Sequence, residues 1–213
     1  MSKPGYQGIR RTLSRDALLD AAEILIGSES FAAVSIDEIV DRAGVAKGTF
    51  YNHFVDKRDI GNHLARRIRH DLRGRIAEAK TKSADPAMHL AIAMSVFLSM
   101  SVQRPQRAKI LITLLVGIAD SDASMNAPIR KNLERGQSDG RFQFEEITSV
   151  LAFILGTVSA GMRYIMQQNQ SGKNDTFVRN LIRHTLLGLG LEREEAERIA
   201  GVATLEYFSP KKV

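Results

Sequence analysis

The chain of 213 residues contains neither cysteine nor tryptophan. Without cysteine there can be no disulfide, no thiolate nucleophile and no cysteine-ligated zinc. Such a chain suits a reducing compartment, and a cytoplasmic location is expected. Proline is limited to five residues, and long runs alternating apolar with polar residues are missing, which favours an all-α fold. The N-terminus, Met1-Ser2-Lys3-Pro4-Gly5, is polar and basic and reads as no secretory signal. The longest apolar run, Val150 to Met162, is shorter than the roughly 20 residues that span a bilayer. It reads as a buried helix, and no membrane partner is expected. Catalytic signatures are missing too: there is no G-x-S-x-G, no phosphate-binding loop and no H-E-x-x-H. Asp59 and His63 lie four apart, the spacing of a surface helix pair, but a metal would require further ligands. Neither an enzyme, a cofactor nor a metal is expected.

What is present is ordinary in amount and uneven in placement. Hydrophobic residues make up 44% and charged residues 25%, enough to build a core and too balanced for global disorder. The formal net charge is +6. Between Arg42 and Arg75 there are nine Lys or Arg against three acids, so this stretch alone carries +6. A concentrated basic segment is the electrostatic footprint expected of a nucleic-acid surface, and a solvated helix face gives the same count.

The segment 35–54 precedes and enters that basic region. Ser35 and Glu38 form an S-x-x-E capping box ahead of Ile36, Ile39, Val40 and Ala43, which recur at helical spacing. Gly44 suits the left-handed position that stops a helix. A second helix is expected from Ala46 or Lys47 to Phe54, making a helix-turn-helix. At 100° per residue, Ala46, Phe50 and Phe54 face the core, Gly48, Thr49 and Asn52 face outward, and Tyr51 and His53 flank them. Threonine and asparagine side chains can read base edges, while Tyr and His suit phosphate oxygens. An amphipathic helix pair that merely packs would show the same buried stripe.

The run Gly44-Val-Ala-Lys-Gly-Thr-Phe-Tyr-Asn-His-Phe54, followed by Asp56-Lys57, resembles the signature of the TetR (tetracycline-repressor-like) family of bacterial transcription regulators. The resemblance extends back through Ser35-Ile-Asp-Glu-Ile39, Phe31 and Ala21-Ala22 to Ser14-Arg15, about the first third of the chain. Two positions depart from the usual pattern: Ser30 stands where glycine is common, and Ala46 where Ser or Thr is. The resemblance implies a head at 12–72 that binds double-stranded DNA. DNA contacts would come from Ser35, Lys47, Gly48, Thr49, Tyr51, Asn52, His53 and Lys57, the last at a phosphate beside a helix N-terminus. It also implies a body at 73–213 that dimerises and holds a small-molecule effector.

Elsewhere the residues place boundaries. Residues 1–11 read as a flexible basic arm, with a first helix from Ser14 to about Gly27 and a fourth from Asp56 to about Ala79. Asp85-Pro86 starts a fifth, Pro105 a sixth and Asn126 is the end of a loop before a seventh. Helices near 145–168 and 176–189 are expected to form a homodimer, and one begins near Glu192, giving nine to ten in all. Met94, Phe97, Met100, Leu111, Leu115, Phe153 and Met162 are candidates for an effector pocket, although each of these residue types is more often plain core. The competing reading is a helical carrier or interaction protein without specific DNA binding.

Overall fold

The computed structural model describes residues 4–80, 83–115, 123–168 and 174–208. Among them are ten α-helices and no strand: α1 Pro4–Ser28, α2 Ile36–Ala43, α3 Lys47–Tyr51, α4 Lys57–Lys80, α5 Pro86–Gln103, α6 Pro105–Leu115, α7 Ala123–Ser138, α8 Ile147–Gln167, α9 Asn174–Gly188 and α10 Arg193–Tyr207.

The first four helices build the head. Ser35 caps α2: its Oγ accepts from the Glu38 N–H at 3.2 Å while the Glu38 carboxylate accepts from the Ser35 N–H at 2.7 Å. Gly44 ends the helix at φ 66°, a conformation that costs glycine little. Asp56 caps α4 by accepting from the Asp59 N–H at 2.7 Å. Leu18, Ala22, Ile39, Phe50, Phe54, Ile60 and Leu64 close over one another in the core beneath these helices.

Several expectations are corrected here. The arm is helical from Pro4 onward, with proline in the first turn where its missing N–H is not needed. Ser14 therefore lies inside α1 and is no N-cap; its hydroxyl donates to the Arg11 carbonyl at 3.0 Å. Residues 1–3 lie outside the described residues. The recognition helix stops at Tyr51 rather than Phe54, and Ala46 is its exposed, extended cap rather than a core residue. The cap lacks a side-chain hydrogen bond, as alanine must. Helix α7 already runs from Ala123, so the residues from there to Asn126 are helix where a loop is expected, and 116–122 lie outside the described residues.

The body is arranged around α5, which carries no Asp, Glu, Lys or Arg and packs against α4, α6, α7, α8, α9 and α10. Asp85 caps it through the Ala87 N–H at 3.0 Å, with Pro86 at its first position. Helices α5 and α8 are long and apolar enough to cross a membrane by length and composition, so the apolar run at 150–162 understated its helix, which has 21 residues. Most of α5 is buried among its neighbours. Helix α8 buries only a third of its residues and leaves Phe153 and Tyr164 exposed. The ring of Tyr164 stacks on Phe177 of α9 with centroids 4.2 Å apart. Gly161 lets α8 approach α5 and α9: a Cβ there would fall 2.9 Å from Leu98 and 2.6 Å from Leu181.

Head and body are joined by more than α4. Arg67 on α4 meets Asp20 at 2.6 Å and Glu23 at 2.5 Å on α1, while Arg107 on α6 bridges Glu23 at 2.5 Å and Asp71 at 2.7 Å. Lys109 of α6 also donates to the Glu29 carbonyl. The end of α1 is thus held against the start of α6.

Candidate nucleic-acid interface and body cavity

The turn between α2 and α3 and the length of α3 present one exposed edge. Asn52 and Tyr51 are exposed and Thr49 is half-buried. A Cβ on Gly48 would meet nothing within 4 Å, and its φ is not positive. The fold itself does not require glycine there; the surface in front of it is open. Lys47 pairs with Asp37 across the two helices at 2.7 Å, both side chains solvent-exposed, so the pair adds little stability and can be exchanged for another anion.

Thr49, Asn52 and His53 line a polar concavity of about 580 Å³ together with Arg11, Ser14, Val45 and Ala46. The structure therefore gathers three of the expected DNA-contacting residues and adds Arg11 and Ser14 from α1. His53 Nε2 lies 2.8 Å from the Ser14 hydroxyl. Its pKa is lowered by burial first and then by Arg11 and Arg15, so the ring is neutral at physiological pH. Ser35 is occupied in the capping box, with its hydroxyl also donating to Glu38 at 2.7 Å. Glu38 is held below the usual carboxylate range by those Ser35 hydrogen bonds.

Lys57 is placed differently from its expectation as a plain phosphate contact. Its Nζ donates to the carbonyls of Val34 at 2.9 Å and Ala32 at 3.1 Å, and lies 5.1 Å from the Phe31 ring centre. The ammonium closes the turn between α1 and α2. Lys57→Ala is expected to cost the chain about 1–2 kcal/mol in urea unfolding, because two carbonyls lose a charged donor. A salt titration of DNA binding separates the roles: a slope smaller by about one phosphate places Lys57 at the DNA, and an unchanged slope removes it from the contacts.

The Asp59–His63 pair is 3.6 Å apart, and Arg15 reaches His63 Nδ1 at 2.8 Å. Both ring nitrogens thus have protein neighbours.

A second concavity, of about 310 Å³, lies in the body between α4, α5, α7 and α8. Of the seven pocket candidates, Met94 and Phe97 line it. Met100, Leu111 and Met162 are closed into the core, and Phe153 is 47% exposed on the outer side of α8; these four do not line it. The side chain of Leu115 lies outside the described residues. Leu90, Ala93, Met94 and Phe97 form one row of α5 at the cavity wall, the i, i+3, i+4, i+7 spacing of a single helix face.

Among the described residues, an all-helical build with a capped helix-turn-helix on a basic head and a cavity in the body is that of a DNA-binding transcription regulator. Residues 18–64 match the model for bacterial regulatory proteins of the tetR family, and residues 85–201 match that for the tetracyclin repressor-like C-terminal domain. The chain belongs to the TetR family of DNA-binding transcription regulators. The transposon Tn10 TetC protein of Escherichia coli is 46% identical over 44 residues, which span 21% of this chain and 22% of that protein. Two solved structures share the fold along most of its length. RolR in complex with resorcinol is 21% identical with TM-score 0.64, covering 91% of this chain and 95% of that one. The fatty acid degradation regulator FadR from Bacillus halodurans is 19% identical with TM-score 0.65, covering 90% and 100%.

Proposed function

We propose that the chain is a cytoplasmic, homodimeric repressor that binds a pseudo-palindromic operator through α3 and is released by a small molecule held in the body cavity. The observation that carries the operator half is the open outer face of α3, where Gly48, Thr49 and Asn52 present no bulk and two hydrogen-bonding side chains. In this reading residues 12–72 act as the head and 73–213 as the body, with Tyr51, Lys47 and His53 at phosphates. Ser35, Gly48, Thr49 and Asn52 lie closest to the groove.

Dimerisation through α8 and α9 is supported by the exposed Phe153 and Tyr164 on an otherwise apolar helix. Two heads related by a two-fold axis then meet successive major grooves about 34–36 Å apart. An occupied cavity favours a different α4 tilt, so the half-site spacing no longer fits the DNA. The cavity wall formed by Met94 and Phe97 supports the effector half, and RolR, a protein of the same fold, is a complex with resorcinol.

Fluorescence anisotropy with the DNA flanking this protein's own gene tests the reading, with scrambled DNA of equal length as control. A preference of about 10³-fold or more at near-physiological salt is expected. No binding to either DNA at low salt would sink it and leave a helical carrier in its place.

A further inference from the structure

The charged side chains around the body cavity are already committed. Arg69 and Arg73, like Asn126, hold interactions within the chain. Asn132 of α7 donates to the Pro86 carbonyl at 2.9 Å. The Ser159 hydroxyl of α8 can donate or accept, so it favours no one kind of guest. Among the described residues that line the cavity there is no Asp or Glu. The apolar walls come from three helices, with Ile76 and Ala77 on α4, Leu90, Met94 and Phe97 on α5 and Val158 on α8. A charged guest would exchange its water for apolar groups or for polar ones that already have partners, which is costly.

His89 differs. It stands half-buried in the first turn of α5, at one end of the Leu90–Phe97 row, and lines the cavity. Its Nε2 lies 2.6 Å from the Ser83 carbonyl. A carbonyl only accepts, so Nε2 carries the proton, and in the neutral ring Nδ1 is then an acceptor. Among the described residues Nδ1 has no hydrogen-bond partner. A purely apolar guest would take water from this nitrogen and return nothing, whereas a guest with an O–H at that end replaces the lost bond. Ser83 lies in the connection from α4 to α5, where its hydroxyl accepts from the Asp85 N–H at 3.1 Å.

We propose that the effector of this protein is a neutral, largely apolar molecule carrying one hydroxyl, as in a substituted phenol or a short alcohol. Its hydroxyl donates to His89 Nδ1, and its apolar body lies along the Leu90–Phe97 row. The inference rests on the cavity being the effector site. A volume of about 310 Å³ stands at the small end of small-molecule sites, roughly 300–1,000 Å³, and suits one ring with a short substituent. The row from His89 to Phe97 runs about 12 Å at 1.5 Å per residue, long enough to seat such a guest with its hydroxyl at one end. A guest bonded to Nδ1 is then one imidazole ring away from the Ser83 carbonyl. It acts on the connection that joins α5 to α4, the helix that leads to the head.

The test uses the full-length protein at about pH 8, above the ordinary imidazole range and below that of a phenol. Four probes share one ring and differ in one substituent: para-cresol, para-xylene, para-methylanisole and para-toluate. Binding is read by calorimetry and release by operator anisotropy. Para-cresol is expected to bind about tenfold tighter or more than para-xylene, which has a methyl for the hydroxyl, and than para-methylanisole, which accepts but cannot donate. Para-toluate should bind more weakly than para-cresol. His89→Gln, whose amide can still donate to Ser83, and His89→Phe, which keeps a ring, should each cut the cresol-over-xylene ratio to about threefold or less. Equal affinity for para-cresol and para-xylene, tighter binding of para-toluate, or a ratio retained in either variant overturns the hydroxyl inference and leaves the cavity as an effector site. Ala93→Phe, which fills the cavity, should abolish binding of every probe. If no probe binds the native protein, if binding survives Ala93→Phe, or if bound para-cresol leaves operator affinity unchanged, the cavity reading falls and the inference with it.

Discussion

Replacing Thr49 and Asn52 together by alanine is expected to lower affinity for the specific operator about 10²–10³-fold, to change affinity for scrambled DNA less than about twofold, and to leave the melting temperature where it was. The reasoning starts from their position on α3. Asn52 is its C-cap residue and is exposed, and Thr49 stands one turn before it on the rim of the same concavity. Among the described residues neither side chain holds an intramolecular hydrogen bond, so removing them costs the fold little. A well-formed side-chain contact to a base edge discriminates by about 1–3 kcal/mol, and two of them account for the stated factor. The phosphate contacts proposed for Lys47, Tyr51 and His53 would be untouched, which keeps the non-specific term. Paired anisotropy titrations on the two DNAs decide it. An equal loss on both would move these residues to the backbone, and a fall in melting temperature would return them to packing.

The parts of the head that sequence reveals are those whose physics is local. The Ser35–Glu38 box, the left-handed Gly44 and the Asp85-Pro86 start each need only three or four neighbouring residues, and each stands as expected. The errors in α3 have a local cause as well. Ala46 has φ −71° and ψ 149°, extended rather than helical, so an angular projection of 100° per residue does not apply to it. At the other end the Phe54 N–H still donates to the Phe50 carbonyl at 2.9 Å, and that single helical spacing carried the expected helix three residues too far.

The cavity was less legible because methionine, leucine and phenylalanine have the same apolar signature in a wall and in a core. Spacing on α5 separates Met94 and Phe97 from the rest only once the neighbours of that helix are known. In the sequence Arg67 and Arg107 are two basic residues among many, because their partners Asp20, Glu23 and Asp71 are remote from them along the chain. Not all of the basic stretch 42–75 is available to DNA: Arg67 within it joins α4 to α1.

Arg141→Ala is expected to destabilise the chain by about 2 kcal/mol at pH 7 and to make the remaining stability less sensitive to acid. Arg141 follows the left-handed Gly140, φ 67°, in the turn between α7 and α8. The N–H groups of Arg141 and Phe142 both donate to the Gly136 carbonyl, at 2.7 and 2.9 Å. Phe142 is buried against Gly136, where a Cβ would fall 2.1 Å from the ring. The turn thus fixes the guanidinium, which forks onto Asp85 at 3.0 Å through two nitrogens and onto Glu195 at 2.7 and 3.0 Å. Those hydrogen bonds, Asp85 first, raise the guanidinium pKa further above its ordinary value.

One side chain therefore ties the start of α5, the α7–α8 turn and α10 together. Losing one partner of a fully buried ion pair costs about 3–5 kcal/mol, and these groups are roughly a quarter to a third exposed, so water reduces the loss. The pH dependence follows from Asp85. Burial pushes its pKa up, but the Arg141 hydrogen bonds and the Ala87 N–H outweigh burial and hold it below the usual range. Stability from such a carboxylate is complete above its unfolded pKa of about 3.9 and is lost as pH falls through the lower folded value. In Arg141→Ala the folded value returns toward the unfolded one, so the gap between the two proteins should narrow below about pH 4. Urea unfolding at pH 7 and pH 3 measures both numbers. A gap that stays constant would assign the loss to packing of the arginine stem instead of its charge.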